Sequence, residues 1–146
     1  MLITPDIWGP YGWKFIHFIA LGYPTIPTSD IKNKYYNFFM SLPDVLPCSI
    51  CGNHFKENLI NHPLDDVVLS SRDNLINWTI DMHNEVNKSN NKKIYNYDEA
   101  KNLILNNYKE NNQEFKVSTK NNKQNKYNYF FIILLILLVI YVYYNI

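Results

Sequence analysis

The sequence predicts an all-α fold: a four-helix bundle with a short fifth helix, followed by a C-terminal transmembrane helix. Three observations carry that prediction. Apolar residues recur at three- and four-residue spacing through most of residues 1–108, with few β-branched alternations and no convincing strand. Breaks fall at prolines and turn clusters, leaving short connections that favour antiparallel neighbours. The stretch YNYFFIILLILLVIYVYYNI, Tyr127 to Ile146, contains no charged side chain.

The first helix is expected from about Gly9 to Gly22, stopping before Pro24, with Trp13, Ile16, His17 and Ala20 on one face. A second, capped by Thr28 or Ser29, sets Ile31, Tyr35, Phe38 and Phe39 in a stripe and is expected to end before Pro43. The third begins at the cysteine pair, with Pro47 just ahead, and runs through Phe55 and Leu59 to about Asn61. A fourth opens at Ser70 or Ser71, with Asp73 and Asn74 in its first turn, and turns Leu75, Trp78, Met82 and Val86 inward. The short fifth, YDEAKNLILNNY, follows from Asp98.

One hundred and forty-six residues suffice for one compact domain with accessories. A formal charge of +1, with lysines scattered or confined to one tail, excludes a field suited to nucleic acid. The only two cysteines, Cys48 and Cys51, stand too close in sequence to staple distant segments, so the fold must hold by its core. The load of Asn, Lys, Ile and Tyr carries no functional weight.

Residues 1–108 therefore form the globular domain, and 109–128, polar and rich in Asn and Lys, a flexible tether. Residues 129–146 form the anchor. Its apolar run from Tyr129 to Tyr144 is slightly short for a hydrocarbon core of about 30 Å, but tyrosines at both ends suit the headgroup level, so that with its flanks it can span. Lys116, Lys120, Lys123 and Lys126 precede this segment, while only Asn145 and Ile146 follow Tyr144. The positive-inside bias then places the domain in the cytosol, and a span so near the C-terminus favours post-translational insertion.

The chemistry concentrates in LPCSICGNHF, Leu46 to Phe55. A C-x-x-C at a helix start holds its first sulfur near unpaired backbone N–H groups, which favour the thiolate, with the second one turn further in. That geometry suits thiol exchange at Cys48 and inward electron transfer from Cys51. A thioredoxin-like setting would need βαβ units, and none is visible. Two other readings stay open on the motif alone. Cys48, Cys51 and His54 could bind zinc with His17, His62 or His83 as fourth ligand, making a tail-anchored adaptor. Alternatively, the two thiols are packing residues in a membrane-tethered scaffold.

Three fragments in order, WKFIHFIALGYP (Trp13 to Pro24), PCSICGNHF (Pro47 to Phe55) and HNEVNKSNNKKIY (His83 to Tyr95), together resemble the FAD-linked sulfhydryl oxidases of the Erv/ALR family. The resemblance covers residues 8 to about 104 and is strongest toward membrane-anchored members of large DNA viruses. It implies a four-helix bundle with a short fifth helix, FAD at its mouth, homodimerisation through the first two helices, and no metal. Cys48 and Cys51 become the redox disulfide beside the flavin, with His54 on the flavin-proximal turn. Trp13, His17 and Tyr23 match first-helix positions that line the cofactor. His83, Asn84, Val86, Asn87 and Lys88 match the H-N-x-V-N-[KR] run, and Lys92, Lys93 and Tyr95 continue the wall around the adenosine and its phosphates. His83 and Asn87, like Trp13 and His17, stand at i, i+4 on one helix face, so two helices can offer aromatic and hydrogen-bonding groups to one planar ligand.

The chain departs from that family in three respects. Many members close their last helices with a C-x16-C disulfide, and the corresponding positions here are Ile80 and Tyr97, where an apolar contact is expected instead. Many carry a second, shuttle cysteine pair; here no further cysteine exists, so substrate is expected to meet Cys48 directly. Pro10 stands where the family has an arginine that contributes to phosphate binding. The implied reaction transfers electrons from a thiol-bearing protein, a thioredoxin-like or C-x-x-C carrier, through the disulfide and FAD to O2, giving hydrogen peroxide. The resemblance to cytosol-facing viral members places the domain toward the cytosol of an infected cell and later the interior side of a virion membrane.

Overall fold

The computed structural model describes residues 4–106, 130–134 and 136–137. The chain divides into two compact units, Met1–Ile104 and Leu105–Ile146. Helices α1 (Pro5–Leu21), α2 (Ser29–Val45), α3 (Ser49–Asn61) and α4 (Arg72–Ser89) form the bundle of the first unit, with a 3-10 turn at Val68–Ser70 ahead of α4. A further helix, α5, spans 97–106, and no strand occurs among the described residues.

Helix α1 begins four residues earlier than the pattern suggested. Pro5 sits at its first turn, where a missing N–H removes no intrahelical bond, while Pro10 lies inside the helix and forgoes the bond its N–H would have made to the Asp6 carbonyl. Helix α2 runs past Pro43 to Val45 instead of stopping before it. The bond lost at Pro43 is offset by burial of Leu42 and Pro43, and the turn is closed by Leu46 N–H donating to the Leu42 carbonyl at 3.1 Å. The other starts follow their caps: Thr28 Oγ1 accepts from Ile31 N–H, and Ser71 Oγ accepts from Asn74 N–H.

Helices α1 and α4 pack antiparallel, since His17 faces Thr79 and His83 while Trp13, one turn toward the N-terminus of α1, faces His83. Helix α3 packs on α2 and α4. The core is centred on Tyr23, Phe39, Leu75, Met82 and Thr79, with Trp78 edge-on to Phe39 at 5.1 Å. Trp78 Nε1 donates to the His62 carbonyl at 2.9 Å, satisfying both the indole and the end of α3.

The predicted tether at 109–128 lies outside the described residues, as does most of the predicted anchor. Residues 130–134 and 136–137 are helical, with Phe130, Phe131, Ile132, Ile133, Leu134, Ile136 and Leu137 all exposed. Among the described residues no helix is long and apolar enough to cross a membrane.

Candidate active site

Leu46 precedes Pro47 and is extended (ψ 137°), as a residue before proline prefers, which turns the chain out of α2 and into the cap of α3. Cys48 is that cap: its Sγ accepts from Cys51 N–H at 3.2 Å. The spacing also places Cys51 one turn along, and the two form a disulfide with Cα atoms 5.2 Å apart. Both cysteines are partly exposed, and Ile50 between them projects into solvent.

Gly52 explains how this turn is held. Pro47 has no N–H to offer the Pro43 carbonyl, and α3 packs its Gly52 backbone against that oxygen so closely that a Cβ there would collide with it. Lys56 then pairs with Asp44 at 2.7 Å across the same helix pair. His54 is exposed on α3, and its ring has no hydrogen-bond partner among the described residues.

The second part of the site lies between α1 and α4. Trp13 stacks flat on His83, with ring centroids 4.2 Å apart and planes within 4°. His17, buried beneath them, bonds through Nδ1 to Thr79 Oγ1 at 3.0 Å and through Nε2 to His83 Nδ1 at 3.1 Å. Burial, then the neighbouring His83, pushes the His17 pKa down to about 3. Burial, then the Lys92 charge, pushes His83 down to about 4, so both rings are neutral at pH 7.

The chain carrying Lys92 is turned back at the end of α4. Asn91 takes a left-handed φ of 53°, its N–H donates to the Lys88 carbonyl, and Lys92 N–H returns to the Asn87 carbonyl at 2.8 Å, the Schellman pattern. The reversed segment is pinned by Asn84, whose amide donates to the Tyr95 carbonyl (2.8 Å) and accepts from Tyr95 N–H (3.1 Å). Lys93 lies 4.7 Å from the Tyr95 ring centroid and 3.5 Å from Glu99.

Trp13, His17 and His83 thus come together between α1 and α4, with the Lys92 charge acting on His83. Asn84 is spent on bracing Tyr95, Asn87 is buried with its carbonyl holding the turn, and Val86 and Lys88 lend their carbonyls to the same cap. Tyr23 is placed in the core at 0 % exposure, its hydroxyl donating to the Leu69 carbonyl at 2.9 Å and its own carbonyl accepting from Arg72 Nε. Sequence reasoning missed Thr79, Gly52 and Asn91. Thr79 could have been found as a hydroxyl one turn before His83 on an otherwise apolar face.

The position expected to hold an apolar replacement for a family disulfide carries a polar link. Ile80 is buried, but Tyr97 hydroxyl reaches the Asp81 carboxylate at 3.0 and 3.1 Å. Nor do Cys48, Cys51, His54 and another histidine converge: among the described residues no His/Cys/Asp/Glu group is set to hold a metal, and the cysteines are bonded to each other.

The donor set fits FAD. A parallel aromatic pair with two neutral imidazoles suits a planar heteroaromatic, and Lys88 and Lys92, in no ion pair among the described residues, suit a diphosphate.

Residues 10–110 match the profile of the Erv1 / Alr family. A probable FAD-linked sulfhydryl oxidase of Acanthamoeba polyphaga mimivirus is 51% identical over 98 residues, covering 67% of this chain and 68% of the relative. An FAD-linked sulfhydryl oxidase of African swine fever virus (isolate Pig/Kenya/KEN-50/1950) is 32% identical over 96 residues, covering 66% and 78%. The FAD binding domain of Erv1 from Saccharomyces cerevisiae superposes with a TM-score of 0.60 at 26% identity, covering 64% of this chain and 87% of that one.

Proposed function

The chain belongs to the Erv1 / Alr family and is an FAD-dependent thiol oxidase, and we propose that it makes disulfides in protein substrates through Cys48 and Cys51. The observation that carries the assignment of roles is the Cys48–Cys51 disulfide at the start of α3, with Cys48 Sγ against the Cys51 N–H.

A substrate thiolate attacks Cys48 Sγ, breaking the Cys48–Cys51 bond, forming a mixed disulfide and releasing the Cys51 thiolate. A second substrate thiolate attacks the substrate sulfur of that bond, so the product disulfide leaves and Cys48 departs as a thiolate. The helix N-terminus and the Cys51 N–H stabilise that leaving group. Closing the Cys48–Cys51 bond again releases two electrons, for which bound FAD supplies the acceptor. With O2 as terminal oxidant, two thiols and O2 give one disulfide and hydrogen peroxide. Trp13, His17 and His83 would hold the planar part of the cofactor and Lys88, Lys92 and Lys93 its phosphates. The substrate is a thioredoxin-like or C-x-x-C carrier protein that meets Cys48 itself.

The assembly is a homodimer through α1 and α2. Ile7, Tyr11 and Phe15 form an exposed apolar stripe at four-residue spacing on α1, and Tyr36 and Met40 repeat the pattern on α2, which supports that reading. Residues 1–108 act as the catalytic domain, 109–128 as a tether and 129–146 as a membrane anchor, with the exposed apolar side chains at 130–134 and 136–137 in its favour. The lysines before the anchor orient the domain to the cytosol, at a host or virion membrane.

Purification of the full chain decides the central reading. The expected result is a yellow protein that consumes O2 with a dithiol substrate, and loss of that activity, with flavin retained, in Cys48→Ser and Cys51→Ser. Serine preserves the cap at position 48, so α3 stays folded and the loss is chemical. A colourless protein, or full turnover in either variant, refutes it.

A further inference from the structure

Thr79 has one hydroxyl proton and two partners. Its Oγ1 lies 2.8 Å from the Ile76 carbonyl and 3.0 Å from His17 Nδ1. A carbonyl oxygen only accepts, so the arrangement that makes both bonds points the proton to Ile76 and has Oγ1 accept from His17 Nδ1–H. A neutral His17 then has a bare Nε2, which accepts from His83 Nδ1–H at 3.1 Å. His83, neutral in turn, has a bare Nε2, and no partner for it occurs among the described residues. Trp13, flat against the ring, holds the plane in which this nitrogen lies.

We propose that Thr79 is a positioning residue: through His17 it locks His83 as the Nδ1–H tautomer, so that His83 Nε2 presents a hydrogen-bond acceptor to a hydroxyl or amine of the bound cofactor. The inference rests on the cofactor reading above and extends it to a residue that touches no ligand itself. Without the hydroxyl, His17 Nδ1–H would be buried with no acceptor, and the relief open to the pair is to invert. His17 would carry its proton on Nε2, His83 would accept at Nδ1, and His83 Nε2 would become a donor. The substitution reverses the polarity of a contact three groups away.

The test uses the full-length chain with histidine rings labelled in nitrogen-15, stripped of flavin, and reads the tautomers by NMR. Wild type should show both His17 and His83 as Nδ1–H. Thr79→Val, which keeps the shape, should move both toward Nε2–H, and Thr79→Ser should restore them. Back-titrated FAD should bind about tenfold more weakly to Thr79→Val than to wild type or Thr79→Ser. His83 found as Nε2–H in wild type, tautomers unchanged in Thr79→Val, or equal FAD affinity in the two overturns the proposal. Because the tautomers are read without cofactor, a wild-type chain that takes up no FAD is recognised separately, and overturns the cofactor reading together with the acceptor role assigned here to His83.

Discussion

Trp13 and His83, seventy residues apart in sequence, lie face to face with ring centroids 4.2 Å apart and planes within 4° of parallel. Two rings so aligned are a ready half of a stack, and each comes from a different helix of an antiparallel pair. Trp13→Ala should therefore loosen His83 and lower FAD affinity ten- to a hundredfold, the scale of losing one aromatic stacking partner of a base. His83→Ala should do the same. Flavin absorbance retained after gel filtration measures both; wild-type retention would separate this stack from cofactor binding.

Gly52 should be the least replaceable residue of the cysteine turn that is not itself redox-active. A methyl group there meets the Pro43 carbonyl, which is backbone and cannot rotate away. Gly52→Ala is expected to cost about 1–3 kcal/mol by overpacking and to shift the C-x-x-C turn outward. Chemical denaturation measures the first effect and the reduction potential of the disulfide the second.

Acid should destabilise the domain through the histidine pair. Both folded-state pKa values are depressed, to about 4 for His83 and about 3 for His17, against 6.5 for the free side chain. Below pH 6.5 the unfolded chain binds protons that the folded one refuses, so stability present at neutral pH is lost as pH falls. The loss runs at ~1.4 kcal/mol per pH unit for each histidine and ends near the folded values. Urea midpoints between pH 7.5 and 5 should show this slope, and His83→Gln should flatten it. A profile unchanged by that substitution would remove the histidines as its cause.

Helix positions were legible in the sequence wherever an apolar stripe met a cap: Thr28, Cys48 and Ser71 all open helices near where the pattern placed them. Prolines misled. Pro43 reads as a stop because it lacks an N–H, yet α2 continues through it because Leu42 and Pro43 are buried and Leu46 closes the turn. Of the candidate site, Trp13, His17 and His83 were singled out by the family resemblance, and helical spacing agrees by setting Trp13 with His17 on one face of α1. Thr79 and Gly52 were not, because each acts on a neighbour distant in sequence, a ring in one case and a carbonyl in the other. Tyr23 shows the converse: a residue attractive by resemblance whose ring and hydroxyl are both used inside the core.

The end of α4 should tolerate glycine and little else at Asn91. Its φ of 53° lets the Lys88 and Asn87 carbonyls be satisfied and reverses the chain at Lys92. Asn91→Gly should leave stability and flavin affinity near wild type, whereas Asn91→Val should cost roughly 1–2 kcal/mol and weaken FAD binding, since a β-branched residue resists the left-handed region. Equal behaviour of the two variants would show that the turn is not set by this residue.

Tyr97 and Asp81 join α5 to α4 beside the Ile80 and Tyr97 positions, which the family resemblance matches to a disulfide of many members, and the link should be weak by comparison with such a bond. A hydroxyl to carboxylate bond on a half-exposed tyrosine contributes about 1 kcal/mol or less, against the 2–5 kcal/mol typical of a native disulfide. Tyr97→Phe should thus lower global stability only slightly while speeding amide exchange in 97–106. Burial, with the Asp81 bond and charge, raises the Tyr97 pKa above 10.0. A raised acid pKa means the link is whole below pH 10 and is lost as pH rises toward the folded value, when a phenolate would face the carboxylate. Exchange in α5 should therefore accelerate in Tyr97→Phe at neutral pH and show no further response to alkaline pH beyond that of the intrinsic amide chemistry. Exchange rates in 97–106 identical to wild type would mean that α5 is held by Ile104 and Lys101, which packs 3.7 Å from Asp73, without help from the tyrosine.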